Sequence, residues 1–262
     1  MKYFDSHAHY WDSRFSENNE SADSLIGALL SESVSGIVNV GTDPATSRLS
    51  LAMAKRFDGV YATAGIHPSD TRFLSDIDAE LREIEALIRE NPGKVVALGE
   101  IGLDYHYEET DREKQARYFD AQLSLAESLG VPVVIHDREA HADVLEIIYR
   151  HKNAKGVFHS FSGSPEMAIE LVRRGWMISF SGTVSFKNAT KVREAARSVP
   201  SDMLLIETDA PYLTPHPFRG ERNDSSYLRY TCAALAEARG MEVDACAEIT
   251  ERNARRLFRL PL

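Results

Sequence analysis

The chain has 262 residues, of which 43% are hydrophobic and 27% are charged, and its formal net charge is −10. This composition is that of a soluble globular protein, and the negative charge excludes a protein that coats nucleic acid through a broad basic surface, but not a nuclease with a locally positive pocket. No apolar run approaches the roughly 18 residues that span a bilayer, and no signal-peptide stretch opens the chain, so we expect a cytoplasmic protein without a membrane partner.

The first predicted strand contains the motif Phe4-Asp5-Ser6-His7-Ala8-His9. Alternate residues of an extended strand point to the same side, so His7 and His9 present two imidazoles on one face. This is a metal-binding geometry. Isolated His-x-His pairs are common by chance, so the interpretation depends on what the later strands carry.

Apolar, β-branched runs recur along the chain and alternate with stretches of helical periodicity. Seven further strands are predicted at residues 36–41, 60–67, 95–100, 131–136, 156–159, 176–180 and 204–209. A polar loop at residues 14–21 leads to the first helix, and later helices include residues 112–129, 165–174 and 189–198. A proline-rich loop, residues 211–223, and two C-terminal helices follow the last strand.

Eight strands that alternate with helices predict an α/β fold with a parallel sheet, which closes most simply as a single (β/α)8 TIM barrel with extra C-terminal helices. A doubly wound open sheet is the alternative. We expect one domain over residues 1–262. Cys232 and Cys246, the two cysteines of the sequence, fall in the C-terminal helices, and we interpret them as buried thiols in a reducing cytoplasm.

Polar residues suited to metal ligation stand at the ends of most of these strands. They are His7, His9, His67, Glu100, His136, His159 and Asp209. In a closed barrel the C-terminal strand ends form one ring, and residues there are typically catalytic. Imidazole and carboxylate together suit zinc, manganese, iron or nickel, with magnesium possible where carboxylate and water dominate. Two ions could be held close together if Glu100 bridges them.

Five motifs follow one another with compatible spacing between residue 3 and about residue 258. They are Asp5-Ser6-His7-Ala8-His9, Gly99-Glu100-Ile101-Gly102-Leu103-Asp104-Tyr105, Ile135-His136, Phe158-His159-Ser160-Phe161-Ser162-Gly163 and Glu207-Thr208-Asp209-Ala210-Pro211-Tyr212-Leu213. This set resembles the TatD family of metal-dependent deoxyribonucleases, within the wider amidohydrolase-like superfamily.

The resemblance implies a phosphoesterase with two divalent ions, Mg²⁺ or Mn²⁺ for activity, with Zn²⁺, Ni²⁺ or Fe²⁺ as alternatives. His7, His9 and Asp209 would hold one ion, Glu100 would bridge, and His136 and His159 would hold the other. Asp209 can also accept the proton of the attacking water as general base. The expected partner is the end of a single DNA strand, which would be cleaved in the 3′ to 5′ direction, and RNA is the alternative. No obligate protein partner is evident.

Three further residues match family positions that are expected near the substrate phosphate: His67, Lys187 and Arg219. Each has a simpler interpretation. His67 could cap the loop after the third strand, Lys187 could be a solvated lysine, and Arg219 could form a surface ion pair with Glu221 or Asp224. Glu221 also departs from the basic residue that the family usually has there, so substrate preference is expected to differ.

Supporting roles are predicted for four other residues. Glu207 lies two residues before Asp209 on the same strand face, where it would orient a ligand. Tyr105, Tyr107 and Tyr212 follow strands and could stack on a terminal base or line a pocket wall.

Two other functions remain open on the sequence. The same site could hydrolyse aminoacyl-tRNA esters or amides, in which case neutralising Lys187 or Arg219 would leave turnover largely intact. The chain could also be a binding or structural protein that keeps the barrel without catalytic activity. Such a protein is expected to have lost at least one metal-ligating residue, but all six candidate metal ligands are present.

Overall fold

The computed structural model describes residues 1–17 and 21–261 of the chain. Within this part it has eight strands, all parallel to their neighbours and paired in chain order. They are β1 (Tyr3–Ala8), β2 (Val34–Val40), β3 (Val60–Ala64), β4 (Val95–Asp104), β5 (Val133–Arg138), β6 (Gly156–Phe158), β7 (Met177–Phe180) and β8 (Leu204–Ile206).

Helices follow the strands and pack around them. Within the described residues they are α1 (Ala22–Glu32), α2 (Pro44–Arg56), α3 (Ile77–Glu90), α4 (Arg112–Leu129), α5 (His141–Arg150), α6 (Pro165–Arg173), α7 (Thr190–Ser198), α8 (Leu228–Arg239) and α9 (Val243–Leu257). None of them combines the length and the apolar composition that crossing a bilayer requires.

The first and last strands meet, which closes the sheet. The Asp209 amide donates a hydrogen bond to the His7 carbonyl over 2.9 Å, and the His9 amide donates to the Ala210 carbonyl over 2.7 Å. The predicted (β/α)8 TIM barrel with additional C-terminal helices is therefore confirmed, and an open doubly wound sheet is excluded.

Local signals in the sequence set the helix ends. The Asp43 side chain accepts a hydrogen bond from the Thr46 amide at the start of α2, with Pro44 in the first turn, as its cap preference predicts. At α4 the predicted range of 112–129 is confirmed, because Asp111 caps its start and Gly130 ends it in the left-handed region, at φ 63°.

The interior of the barrel at its N-terminal end is apolar. One buried side chain from most strands contributes to this layer, and α9 and the residues after it close the end with Phe258 and Leu260. The strand members include Phe4, Val96, Val134, Val157 and Leu205. We call this the lower layer. A larger apolar cluster lies between the strands and the surrounding helices, and Cys232 and Cys246 are buried there as free thiols, as expected.

Some predicted boundaries are wrong. β3, β6 and β8 end one to three residues before His67, His159 and Asp209, so these side chains project from the segments that follow the strands. β4 instead continues from Glu100 to Asp104, because residues 101–104 keep pairing with β5. Part of the predicted polar loop at residues 14–21, namely residues 18–20, lies outside the described residues.

Candidate metal centre

His7 and His9 face each other at the C-terminal end of β1. His7 lies within the strand and His9 directly follows it, and their Nε2 atoms are 3.1 Å apart. Since a carbonyl only accepts, the contact of 2.9 Å between His9 Nδ1 and the Val40 carbonyl places the ring proton on Nδ1. The Nε2 atom of His9 is therefore free to act as a ligand.

The Glu100 carboxylate lies at the centre of the cluster and is 3% exposed. Its Oε2 atom is 3.3 Å from His7 Nε2 and 3.7 Å from His9 Nε2. Its Oε1 atom is 2.8 Å from His136 Nδ1 and 2.8 Å from His159 Nε2. The two oxygens thus face two different histidine pairs.

Asp209 completes the cluster from the segment after β8. Its Oδ1 atom lies 3.3 Å from His9 Nε2 and 3.6 Å from His7 Nε2. The residue has a φ of 58°, a conformation that L-residues rarely adopt, and its neighbour Thr208 is bound by the buried Asp5 carboxylate through both amide and hydroxyl. These bonds fix the direction of the Asp209 side chain.

Further buried carboxylates orient the ligands. Glu207 Oε1 accepts the Ser160 amide over 2.8 Å and lies 3.1 Å from His159 Nδ1, which leaves His159 Nε2 facing Glu100. Glu207 directly follows β8 rather than lying on it, and its contact with His159 is an orienting contact of the kind that the sequence predicted. A carboxylate that binds the second nitrogen of a ligating histidine fixes its tautomer and raises its basicity.

Asp104 was missed by the sequence reasoning. Its Oδ2 atom is 3.2 Å from His136 Nε2. The signal was the even spacing from Glu100, which places both side chains on one face once β4 is extended. Gly102 obscures the longer strand in the sequence, because glycine is typical of a strand end. Glycine is nevertheless required at this position, since a Cβ would lie 1.9 Å from the His136 carbonyl oxygen.

The donor atoms fit a divalent cation. The sets His7–His9–Glu100 and Glu100–His136–His159 each offer three ligand atoms within 4.8 Å of one another, and they share Glu100. Neutral imidazole and carboxylate are the ligands that such ions prefer in proteins.

The carboxylates and imidazoles of the cluster shift one another's pKa values. Burial raises the pKa of Glu100, but His159, His67 and His7 outweigh it and hold that pKa well below its usual range. Burial lowers the pKa of His159, yet Glu100 and Glu207 raise it well above 6.5. Since a ligating imidazole must be neutral, ion binding is expected to release a proton from this cluster.

His67 lies beside the cluster, with its Nε2 atom 3.6 Å from Glu100 Oε1. Its Nδ1 atom accepts a hydrogen bond from the Ser69 amide, so it caps the loop after β3, as the simpler interpretation expects. Burial and the neighbouring His136 lower the pKa of His67 to about 3. The ring is thus neutral with its proton on Nε2, which makes it a hydrogen-bond donor rather than a ligand.

Lys187 and Arg219 do not line the cavity that opens beside the cluster. The Arg219 guanidinium lies over the Phe186 ring, 4.1 Å from its centroid, and neither basic residue is among the described residues that line the cavity beside the ligands. Glu221 accepts a hydrogen bond from the Tyr227 hydroxyl over 2.8 Å.

A cavity of about 350 Å³ opens next to the ligands, and we call it the first cavity. Trp11, Tyr107 and Tyr212 line it together with His67 and the cluster. Tyr107 and Tyr212 are about half exposed, so their rings are accessible to a ligand. Tyr105 is held elsewhere, because its hydroxyl donates to Asp143 over 2.7 Å.

Comparisons with known proteins find similarity over nearly the whole chain. The family model described as TatD related DNase matches residues 4–259. Metal-dependent hydrolase YabD of Bacillus subtilis is 40% identical to this chain, and the match covers 98% of this chain and 99% of YabD. Metal-dependent hydrolase TatD of Mycobacterium tuberculosis is 37% identical, and the match covers 98% of this chain and 97% of that protein. The crystal structure of YjjV, a TatD homologue from Escherichia coli, superposes with a TM-score of 0.88 at 31% identity, covering 99% of this chain and 98% of that one.

Proposed function

The chain belongs to the TatD family of metal-dependent hydrolases, and from this premise we propose that it hydrolyses phosphodiester bonds as a 3′–5′ exonuclease on single-stranded DNA. The observation that carries the proposal is the Glu100 carboxylate, whose two oxygens face two separate histidine pairs. Such an arrangement supports a pair of divalent ions, and paired ions are typical of nucleases and phosphatases.

We assign the ligands in two sets that share Glu100. His7, His9 and Asp209 hold one ion, and His136 and His159 hold the other. The contacts between Asp209 Oδ1 and the Nε2 atoms of His7 and His9 support the first set, and the contacts of Glu100 Oε1 support the second. Mg²⁺ or Mn²⁺ are the ions we expect to support activity.

When bound, divalent ions acidify water and stabilise charge on the phosphoryl oxygens. The protein side chains supply the remaining functions. Asp209, whose pKa is held below its usual value by His9 and His159 although burial raises it, is ionised at neutral pH and accepts the proton of the attacking water. His67 donates its Nε2 proton to a non-bridging oxygen of the phosphate.

The strand end itself is bound outside the cluster. Trp11, Tyr107 and Tyr212 offer rings beside the first cavity on which a base can stack. Lys187 and Arg219 lie outside the lining of the first cavity. As cations, they contact phosphates along the DNA strand. Neutralising either one is expected to weaken DNA cleavage and to spare small esters or amides.

The test is cleavage of a 5′-labelled single-stranded oligonucleotide with Mg²⁺ or Mn²⁺. We expect a ladder that shortens from the 3′ end, disappears with a chelator and is absent for Asp209→Asn. Asp202→Asn is the matched control, because Asp202 is exposed and precedes β8 at the opposite end of the barrel. It should cleave like the wild type.

An intact oligonucleotide in the presence of both ions and folded protein would contradict the phosphodiesterase proposal. The same protein would then be assayed on aminoacyl-tRNA esters and on amides. Turnover there, lost in Asp209→Asn and retained in Asp202→Asn, would assign the cluster to ester or amide hydrolysis instead.

A further inference from the structure

A second cavity, of about 400 Å³, lies next to the first. The two cavities share the residues His136, Arg138, His159, Asp209 and Tyr212. Residues on or after β1 to β4 line only the first cavity and residues after β7 line only the second, while both take wall residues from β5 and from the segments after β6 and β8. The candidate ligands therefore stand between two spaces at the mouth of the barrel.

The wall of the second cavity is held by its own contacts. The Ser160 and Ser181 hydroxyls lie 2.8 Å apart, and those of Ser181 and Thr183 lie 3.0 Å apart. The turn after β7 packs directly on the segment after β8, because a Cβ at Gly182 would lie 2.1 Å from the Leu213 carbonyl oxygen. The shape of this cavity is thus set by hydrogen bonds and close packing within the protein.

The surface of the second cavity differs from that of the ligand cluster. Phe161, Val192 and Leu213 supply apolar surface, and Ser162 and Thr183 supply hydroxyls. Cavities of about 300–1,000 Å³ with apolar walls and a few polar groups are typical sites for small organic groups. Asp137 and Arg138 also line the cavity. A nucleobase has apolar faces and polar edges, so it matches the apolar and hydroxyl-bearing part of this surface.

Resting on the proposed function, we propose that the second cavity is a nucleobase subsite, which takes the base of one nucleoside next to the scissile phosphate. In-line displacement places the attacking and leaving oxygens on opposite sides of the phosphorus. With the phosphate at the ligands, the flanking nucleosides extend in different directions. The two cavities share the candidate ligands His136, His159 and Asp209, and each has further wall residues from strands that the other lacks. Phe161, Val192 and Leu213 are then the residues that determine specificity for substrates with a base.

The test compares two phosphodiesters in the presence of Mn²⁺. Thymidylyl-thymidine carries a base on both sides of the phosphate, whereas the same diester with an abasic tetrahydrofuran sugar in place of each nucleoside carries none. Val192→Trp fills the second cavity from α7, whereas Glu194→Trp adds the same ring at an exposed position of that helix, outside the cavity lining. We expect Val192→Trp to lose at least about tenfold more kcat/KM on thymidylyl-thymidine than on the baseless diester, mainly through KM. Glu194→Trp should lose less than about threefold on either.

Product inhibition gives a second readout. Thymidine 5′-monophosphate should inhibit Val192→Trp at least about tenfold more weakly than the wild type, and inorganic phosphate should inhibit both alike. Equal losses on the two diesters, or unchanged inhibition by the nucleotide, would overturn the subsite and leave the proposed function standing. A wild-type protein that hydrolyses neither diester would overturn the proposed function, and the subsite with it.

Discussion

The two ends of the barrel interior bury opposite kinds of side chain. The lower layer is apolar and is closed by α9, so its burial stabilises the fold through the hydrophobic effect. The C-terminal end buries histidines and carboxylates within a few ångströms of one another, which is costly unless the charges are paired or bind a metal. The difference indicates that the lower layer provides stability and that the upper end provides chemistry.

Residues two apart along the chain can be of both kinds. Val134 and His136 both lie on β5, and Leu205 lies on β8 with Glu207 directly after that strand. Because alternate residues share a face, each pair places an apolar side chain in the lower layer and a polar one above it. Substitutions two residues apart on one strand can therefore separate stability from activity.

Glu100→Gln should have the largest effect at the upper end. It removes the carboxylate charge that faces both histidine pairs, so we expect turnover to fall about 1,000-fold, equivalent to about 4 kcal/mol. The measurement is kcat on single-stranded DNA with saturating Mn²⁺, together with the rise in Tm on adding Mn²⁺. Glu90→Gln, at the exposed end of α3, is the control. A Glu100→Gln variant that keeps the full Tm rise would contradict the central role of this carboxylate.

Leu205→Ala should instead affect stability. Leu205 is fully buried in the lower layer, and truncating such a leucine costs about 3 kcal/mol of unfolding free energy. Urea unfolding measures this loss, and kcat should stay within about threefold of the wild type at a temperature where the variant is folded. A large fall in kcat without a fall in stability would break the division between the two ends.

Glu207→Gln sharpens the comparison, because Glu207 directly follows the strand that carries Leu205. The change removes the negative charge beside His159 but keeps the shape of the side chain, so we expect Mn²⁺ affinity to fall about tenfold or more. Calorimetric titration with Mn²⁺ gives the affinity, and urea unfolding of the metal-free protein should shift less than for Leu205→Ala. If Glu207→Gln lost more unfolding free energy than Leu205→Ala, Glu207 would have a structural role in the core instead.

The sequence predicts a structural feature best where one local rule determines it. The barrel follows from eight alternating strands and helices, and His7, His9, Glu100 and Asp209 come together as the ring of strand ends predicts. The end of β4 was missed because Gly102 is typical of a strand break, whereas here it permits close approach to β5. Hydrogen-bond partners such as those of His67 depend on loop geometry, which residue spacing does not encode.

His141→Gln tests a smaller effect at the edge of the upper end, beside Asp137. His141 Nδ1 donates a hydrogen bond of 2.8 Å to the Asp137 carboxylate, which raises the pKa of His141 above 6.5. A raised pKa means that the folded state holds the proton more tightly, so the stabilisation is complete below pH 6.5 and is lost as the pH rises through the folded pKa. The side chain is 35% exposed, so solvent screening limits the loss in His141→Gln to about 1 kcal/mol or less at pH 5.5.

Urea unfolding at pH 5.5 and pH 9 measures this difference, and Asp137→Asn in the same series tests its cause. If the hydrogen bond carries the effect, His141→Gln and Asp137→Asn lower stability at pH 5.5, and the double variant loses less than the sum of the two. The wild type and His141→Gln should have nearly the same stability at pH 9, where the imidazole is neutral. If His141→Gln were still less stable than the wild type at pH 9, His141 would act through packing at the start of α5. Stabilising charge pairs at the upper end would then be limited to the ligand cluster.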